Sequence, residues 1–358
     1  MPLRYRIRVA VTNVAGFDSI IGQRLPLRLL QTFRFRGAIP HALLFTGMAG
    51  TGKRTVARTF AMALNCRSID PPRANAGHAA DRCETDGKPC GACSNCRRID
   101  AGHHPDVLSL VPQNGILRIE QVRRLIAVLA MKPFNEGYRV AIIDDAQTLN
   151  SEASNALLKV LEEPPDGTIL ILTAPQRSDL LSTIVSRCRH IRFSPLPSEA
   201  LARWLIAQRG IDAEVARTVA ELSGGSITEA AKLIETRWQS TRDWLVRAAG
   251  LDDLPEMQRR TPAAALAFSG ALAARKERIH DDLATLKGWI RDLWIFPHAA
   301  SLAVNQDCMA RLGRLRSQIG PERLSFFWET IDKAQKDIAA NANLRLTLDV
   351  MALKMAGS

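Results

Sequence analysis

Gly47-Met-Ala-Gly-Thr-Gly52-Lys53 sets glycines and a lysine between an apolar run, Ala42-Leu-Leu-Phe45, and a helical stretch from Thr55 to about Asn65. Glycines let backbone N–H groups converge on phosphate oxygens, the helix N-terminus adds positive potential, and the lysine reaches terminal phosphates. A phosphate-cradling loop on Gly47, Gly50, Gly52 and Lys53 is therefore expected. One position departs from the pattern. The residue after the lysine should offer a hydroxyl to Mg²⁺, but it is Arg54, with Thr55 one step late. A guanidinium has no lone pair for a metal. Mg²⁺ chemistry is not expected, while weak binding of ATP or ADP stays open. Asp144-Asp145 closes a second apolar run, Arg139-Val-Ala-Ile-Ile143, where such proteins keep a metal-orienting Asp and often a catalytic Glu. Asp145 is one methylene shorter than Glu and would place a water-activating oxygen differently. Thr173, ending a third run from Thr168, completes this degenerate nucleotide-binding set.

Cys90-Gly-Ala-Cys93-Ser-Asn-Cys96 offers three thiolates at two-residue spacing, suited to a tetrahedral Zn²⁺ that needs one more ligand. Cys83, six residues upstream, and Cys66, at the end of the preceding helix, are both candidates. The further Cys and Pro of iron–sulfur ferredoxins are missing. A closed four-ligand site leaves no open position for substrate, so the zinc is expected to be structural. The remaining cysteines, Cys188 and Cys308, lie far away, and clustering of this kind is unlike a disulfide framework.

These residues need elements to hold them. Continuous rather than alternating apolar strands, separated by helices, predict a parallel sheet covered on both faces. Ser151 to Glu163 has helical periodicity and stops at Pro164-Pro165, and Ile191-Arg-Phe193 reads as a fourth strand. Beyond Pro195-Leu-Pro197 strand signals fade, and helices are expected over 263–274, 280–295 and 323–338. The chain then reads as an extension (1–16), an α/β P-loop-type domain (17–195), a small helical domain (196–240) and an all-α domain (241–358). Ser68 to Pro89 reads as a loop or insertion. With 358 residues, two or three domains are expected. Lys and Arg number 48 against 36 Asp and Glu, and the net charge of +12 favours an acidic partner such as nucleic acid. No apolar run approaches the roughly 20 residues of a membrane helix, and the basic, alternating amino terminus reads poorly as a signal peptide. A cytoplasmic protein without a membrane partner is expected.

Taken together, the chain resembles the AAA+ clamp-loader subunits of bacterial DNA polymerase III, of the delta-prime type. The likeness runs from Phe17-Asp-Ser-Ile-Ile-Gly-Gln23 through the glycine loop, the cysteine knuckle, His104-Pro-Asp106, Asp144-Asp145-Ala146, Asn155-Ala-Leu-Leu-Lys-Val-Leu-Glu-Glu-Pro-Pro165 and Thr183-Ile-Val-Ser-Arg-Cys188. It returns with Asn341-Ala-Asn-Leu-Arg-Leu-Thr-Leu348. The resemblance implies that Ser186-Arg187-Cys188 presents an arginine finger in trans to ATP on a neighbouring subunit, a task suited to a permanently charged, forked guanidinium. It implies that the knuckle takes its first cysteine from the helix end, favouring Cys66 over Cys83, with residues 67–82 bulging outward. It also implies a helical lid, a carboxyl-terminal collar, and as partners gamma/tau-type ATPases, a delta-type subunit, the sliding clamp and primer–template DNA. ATP-hydrolysing relatives carry Thr after the loop lysine, Asp-Glu at the strand end, and an Arg where this chain has Thr228. Here Arg54, Asp145 and Thr228 point to a non-hydrolysing, delta-prime-type framework with no polymerase site of its own. The alternatives are an ATP-hydrolysing gamma/tau-type motor and a zinc-knuckle nucleic-acid-binding protein.

Overall fold

The strands β1 (Ala42–Thr46), β2 (Val107–Leu110), β3 (Arg139–Ile143), β4 (Thr168–Ala174) and β5 (Arg189–Arg192) form one parallel sheet in the order β2-β3-β4-β1-β5. The computed structural model describes residues 16–68, 87–131, 134, 137–236, 238–252 and 261–357. In register, Leu43 faces Ile171 and Val140 faces Ile169. Strands β1, β3 and β4 are buried at every position, as apolar runs covered on both faces must be.

Because successive side chains alternate, each strand feeds two cores. Leu43, Phe45, Val140, Ile142 and Ile171 pack with Leu30 of α1 (Arg24–Phe35) and with Val56 and Phe60 of α2 (Lys53–Asn65). Leu44, Ala141, Ile143 and Leu172 pack on the other face. Their partners are Val122 and Leu125 in the helix Ile119–Leu129, and Leu157 and Leu161 in the helix Ser151–Glu162. We name the short helix Ser94–Asp100 α3, and Ile119–Leu129, Ser151–Glu162 and Ser182–Val185 α4, α5 and α6. Helix α5 starts where Asn150 caps it, its side chain accepting from the N–H of Ala153 at 2.9 Å, and it ends before Pro164-Pro165.

Strand β2 is an element that periodicity does not announce. It is four residues long, half-exposed at the sheet edge, and Val-Leu-Ser-Leu carries too short a pattern to read. Its arrival explains the preceding His104-Pro-Asp106. The fully buried Arg139 is met by Asp106 Oδ1 at 3.1 Å, by the Val128 carbonyl at 2.7 Å and by the Met131 carbonyl. A buried guanidinium without such partners would be strongly unfavourable. The expected fourth strand over 191–193 spans Arg189–Arg192 and pairs with β1.

The chain divides into two compact units, Met1–Trp204 with Gly224–Glu229, and Leu205–Ser223 with Ala230–Ser358. Backbone bonds draw the Gly225 turn into the first unit. The Leu196 N–H donates to the Gly225 carbonyl at 3.0 Å and the Ile227 N–H to the Gly50 carbonyl at 3.0 Å. The second unit is helical. Of its helices, Pro262–Ala273 lies one residue earlier than expected, and Ile279–Ala299 and Pro321–Ala339 extend the expected helices by one to four residues at each end. They enclose a core around Trp289, Phe268, Leu286 and Phe327. No helix among the described residues is long and apolar enough to cross a membrane.

Candidate functional site

Strand β1 delivers the chain into the loop Gly47–Gly52, and α2 begins at Lys53. Gly50 (φ 77°) and Gly52 (φ 91°) occupy left-handed backbone that β-carbons disfavour. At Gly50 the space is also closed, since a Cβ would stand 2.1 Å from Ser226 Oγ and 3.0 Å from Thr228 Cβ. Thr228 therefore sits directly against the loop. Lys53 Nζ turns back on its own loop, donating to the carbonyls of Gly47 and Met48, the latter at 2.9 Å. Burial lowers its pKa, against the opposing pull of Asp145 and Asp144. Thr55 lies one residue further along α2, its carbonyl accepting from Thr59 Oγ1 at 2.9 Å.

Asp144 and Asp145 follow β3, and β4 beside it ends at Thr173 and Ala174. The Asp145 N–H donates to Thr173 Oγ1 at 3.1 Å, fixing this corner, while the Asp145 carboxylate is exposed. Asp144 is buried, and both its carboxylate oxygens lack a hydrogen-bond partner. Its compensating charge is Arg54, whose Nε lies 3.0 Å from Oδ2. The guanidinium thus supplies a positive charge at the strand-end carboxylate, where the residue after the loop lysine of a P-loop ordinarily offers a hydroxyl to a metal. Burial pushes the Asp144 carboxyl up to about 6, against the lowering effect of Arg54.

That shift fixes a pH dependence. A carboxyl whose folded pKa is raised holds its proton in the folded state, so its contribution is intact below the unfolded value near 3.9 and is lost as pH rises through about 6. Asp144→Asn has no such proton to lose. Its stability relative to wild type is expected to grow between pH 4 and pH 6, by on the order of 3 kcal/mol at most. Urea unfolding at several pH values reads this directly, and a constant difference between the two proteins would contradict it.

Helix α2 also carries the first cysteine of the metal cluster. Cys66 follows its last turn, and α3 brings Cys96 and the knuckle against it. The Asn95 side chain donates to the Asn65 carbonyl at 2.8 Å. The sulfurs of Cys66, Cys90, Cys93 and Cys96 lie within 4.8 Å of one another, with Cys66 and Cys93 4.0 Å apart. A tetrahedral zinc with Zn–S near 2.3 Å sets sulfur–sulfur edges of about 3.8 Å, so the four fit such an ion. Backbone N–H groups point at the sulfurs, Cys93 to Cys90 Sγ at 3.2 Å and Cys96 to Cys93 Sγ at 3.5 Å, which favours thiolates. At Cys90 burial opposes ionisation, yet bonds from Ser68, Cys93 and Ala92 outweigh it and bring the thiol down to about 6. Burial pushes Cys96 the other way. Cys83 lies outside the described residues.

Arg187 follows α6 and is half-exposed. Its guanidinium meets Glu162 Oε1 at 2.6 Å and donates to the Thr183 carbonyl at 2.9 Å and to Ser186 Oγ at 3.3 Å. Among the described residues its bonds run to these groups and not to the glycine loop. Two partnerships escape a reading of spacing, Arg54 with Asp144 and Glu162 with Arg187. A faint signal for the second exists, because Glu162-Glu163 places acidic charge at a helix C-terminus, where the dipole disfavours it unless a cation is near.

A family model described as DNA polymerase III, delta subunit, matches residues 22–197. The DNA polymerase III subunit delta' of Yersinia pestis is 31% identical over 292 residues, covering 79% of this chain and 78% of that one. The chain belongs to the delta-prime family of DNA polymerase III subunits. The subunit delta' of Pseudomonas aeruginosa is 38% identical over 199 residues, 54% of this chain and 55% of its own. The subunit gamma/tau of Mycobacterium tuberculosis is 29% identical over 369 residues, 95% of this chain and 61% of its own. The chain thus spans less than two thirds of the length of these last two relatives, and 32% of the Bacillus subtilis subunit tau. The parallel sheet, with its glycine loop between β1 and α2, is an α/β P-loop-type fold, and the described residues that follow it are helical.

Proposed function

We propose that this delta-prime-family chain is a non-motor subunit of the DNA polymerase III clamp loader that lends Arg187 to ATP bound by a neighbouring gamma/tau-type subunit. Its first unit supplies the AAA+ framework, with Leu196 to about residue 240 acting as lid and residues 241–358 as an oligomerising collar. Zinc on Cys66, Cys90, Cys93 and Cys96 is structural. A delta-type subunit completes the ring, which opens the sliding clamp and places it on primer–template DNA during DNA replication, in a cytoplasmic, nucleoid-associated replisome. Gly47, Gly50, Gly52, Lys53, Thr55, Asp144, Asp145 and Thr173 form the remnant of a nucleotide site, with ATP hydrolysis by the chain itself absent or weak.

The observation that carries this reading is the contrast between two arginines. Arg54 pairs with the buried Asp144 inside the chain's own loop region, whereas Arg187 is half-exposed and held only by surface partners, Glu162 among them. A surface ion pair is worth about 1 kcal/mol or less, so exchanging Glu162 for a γ-phosphate is not costly. Reconstitution with a gamma/tau-type ATPase tests the finger. Arg187→Ala is expected to lower ATP turnover of the complex by 10³-fold or more, on the order of other trans fingers, while the collar still assembles. Unchanged turnover would remove the reading. A gamma/tau-type motor role predicts instead that the isolated chain hydrolyses ATP at a motor's rate and that Lys53→Ala abolishes this.

A further inference from the structure

Three groups of its own chain hold the Arg187 guanidinium, and one of them is charged. Nη1 donates to the Thr183 carbonyl at 2.9 Å and to Ser186 Oγ at 3.3 Å, both neutral and both from the α6 turn. Nη2 meets Glu162 Oε1 at 2.6 Å, and Glu162 comes from another element, the last turn of α5. Neither end of that ion pair is loosely mounted. Leu161 and Ile184 are buried in one core, and Val185 and Cys188 pack against it. The Leu161 carbonyl accepts from His41 Nε2 at 3.1 Å, which ties the end of α5 to the residue before β1. The helix dipole disfavours a carboxylate at this end, and Glu162 is compensated there by Arg187.

We propose that Glu162 is an intramolecular competitor for Arg187, keeping the guanidinium on its own chain until the γ-phosphate of ATP on a neighbouring subunit displaces it. This takes as given the trans finger proposed above and adds its regulation. A carboxylate carries one negative charge and a terminal phosphate up to about two, so the phosphate wins the guanidinium once it is within reach. When the γ-phosphate has left, Glu162 recaptures the finger, and the contact resets with each turnover. Glu162 makes and breaks no covalent bond; it changes only the share of time for which Arg187 is available. A finger that spends part of its time on Glu162 serves the neighbour for the remaining fraction, and the apparent strength of its contact falls by that fraction. An exposed ion pair biases such an equilibrium by about two- to fivefold.

The full-length chain, reconstituted with a gamma/tau-type ATPase, tests this through kcat/KM for ATP. Glu162→Gln keeps the shape of the side chain and removes its charge, and it is expected to raise kcat/KM by about two- to fivefold. The same exchange in an Arg187→Ala background is expected to change nothing, because no guanidinium is left to compete for. A merely structural Glu162 would instead shift both backgrounds alike. Glu162→Asp keeps the charge and is expected to stay closer to wild type than Glu162→Gln. An unchanged kcat/KM in Glu162→Gln, or an equal change in both backgrounds, would overturn the proposal. So would a fall in kcat/KM, which would make Glu162 a support of the finger and not its competitor. The two readings separate cleanly. If Arg187→Ala leaves turnover unchanged, the finger falls and the competitor with it; if Arg187→Ala lowers turnover and Glu162→Gln has no effect, the competitor alone falls.

Discussion

Replacing Arg242 by methionine is expected to cost the helical unit about 3–5 kcal/mol, the penalty for leaving a buried charge without its partner. Arg242 is 2% exposed and binds Asp307 in a fork, Nη1 to Oδ1 at 2.8 Å and Nη2 to Oδ2 at 2.9 Å. Nη1 also donates to Asn305 Oδ1 at 3.1 Å, and the guanidinium stacks over Trp238 at 4.6 Å. Methionine fills part of the volume but leaves Asp307 without a cation, held only by long contacts from Thr218 and Gln239 at 3.5 Å each. The double variant Arg242→Met, Asp307→Leu should recover most of the loss, since removing both charges removes the unpaired one. Urea unfolding followed by tryptophan fluorescence is well placed, because Trp238 and Trp289 flank the guanidinium. A single-variant loss below 1 kcal/mol would show that water reaches the pair.

The pair also has a pH signature. Burial alone would raise the Asp307 carboxyl, but the Arg242 bonds outweigh it and hold the pKa below its ordinary value. A depressed carboxyl stabilises the fold above its unfolded value near 3.9, and that contribution disappears as pH falls through the lower folded value. This runs opposite to Asp144, whose raised pKa makes neutral pH the unfavourable side.

Zinc removal is the second large effect. Chelation is expected to loosen α3 and the end of α2 first and to lower the stability of the first unit by about 4 kcal/mol, for metal present at a thousand times its dissociation constant. Cys96 is fully buried and Cys66 nearly so, so metal loss leaves thiols that burial keeps protonated where zinc demanded thiolates. Metal analysis should find one zinc per chain, lost in Cys66→Ser and kept in Cys83→Ser. Hydrogen exchange should show faster exchange at Ser94–Asp100 before the sheet responds. An unchanged melting temperature after chelation, or zinc lost on replacing Cys83 and kept on replacing Cys66, would overturn the structural role or the ligand set. A knuckle that reads nucleic acid would instead lose binding on Cys93 replacement with the fold intact.

Much of this protein is written in short windows of its chain. Continuous apolar runs at β1, β3 and β4 declare a buried parallel sheet, because only strands covered on both faces dispense with polar positions. The glycine–lysine loop, the three closely spaced cysteines and Ser186-Arg187-Cys188 are equally local, their chemistry resting on residues a few positions apart. What stayed hidden joins distant segments. Arg54 meets Asp144 because parallel strands end together at one edge, and Glu162 meets Arg187 because α5 and α6 are neighbours. Strand β2 was silent because an edge strand half in water has no apolar pattern to show. Periodicity and spacing report the environment of one element, whereas pairings such as Arg242 with Asp307 depend on which elements pack together. That is decided by the combined burial of whole faces, a property no single stretch of chain contains.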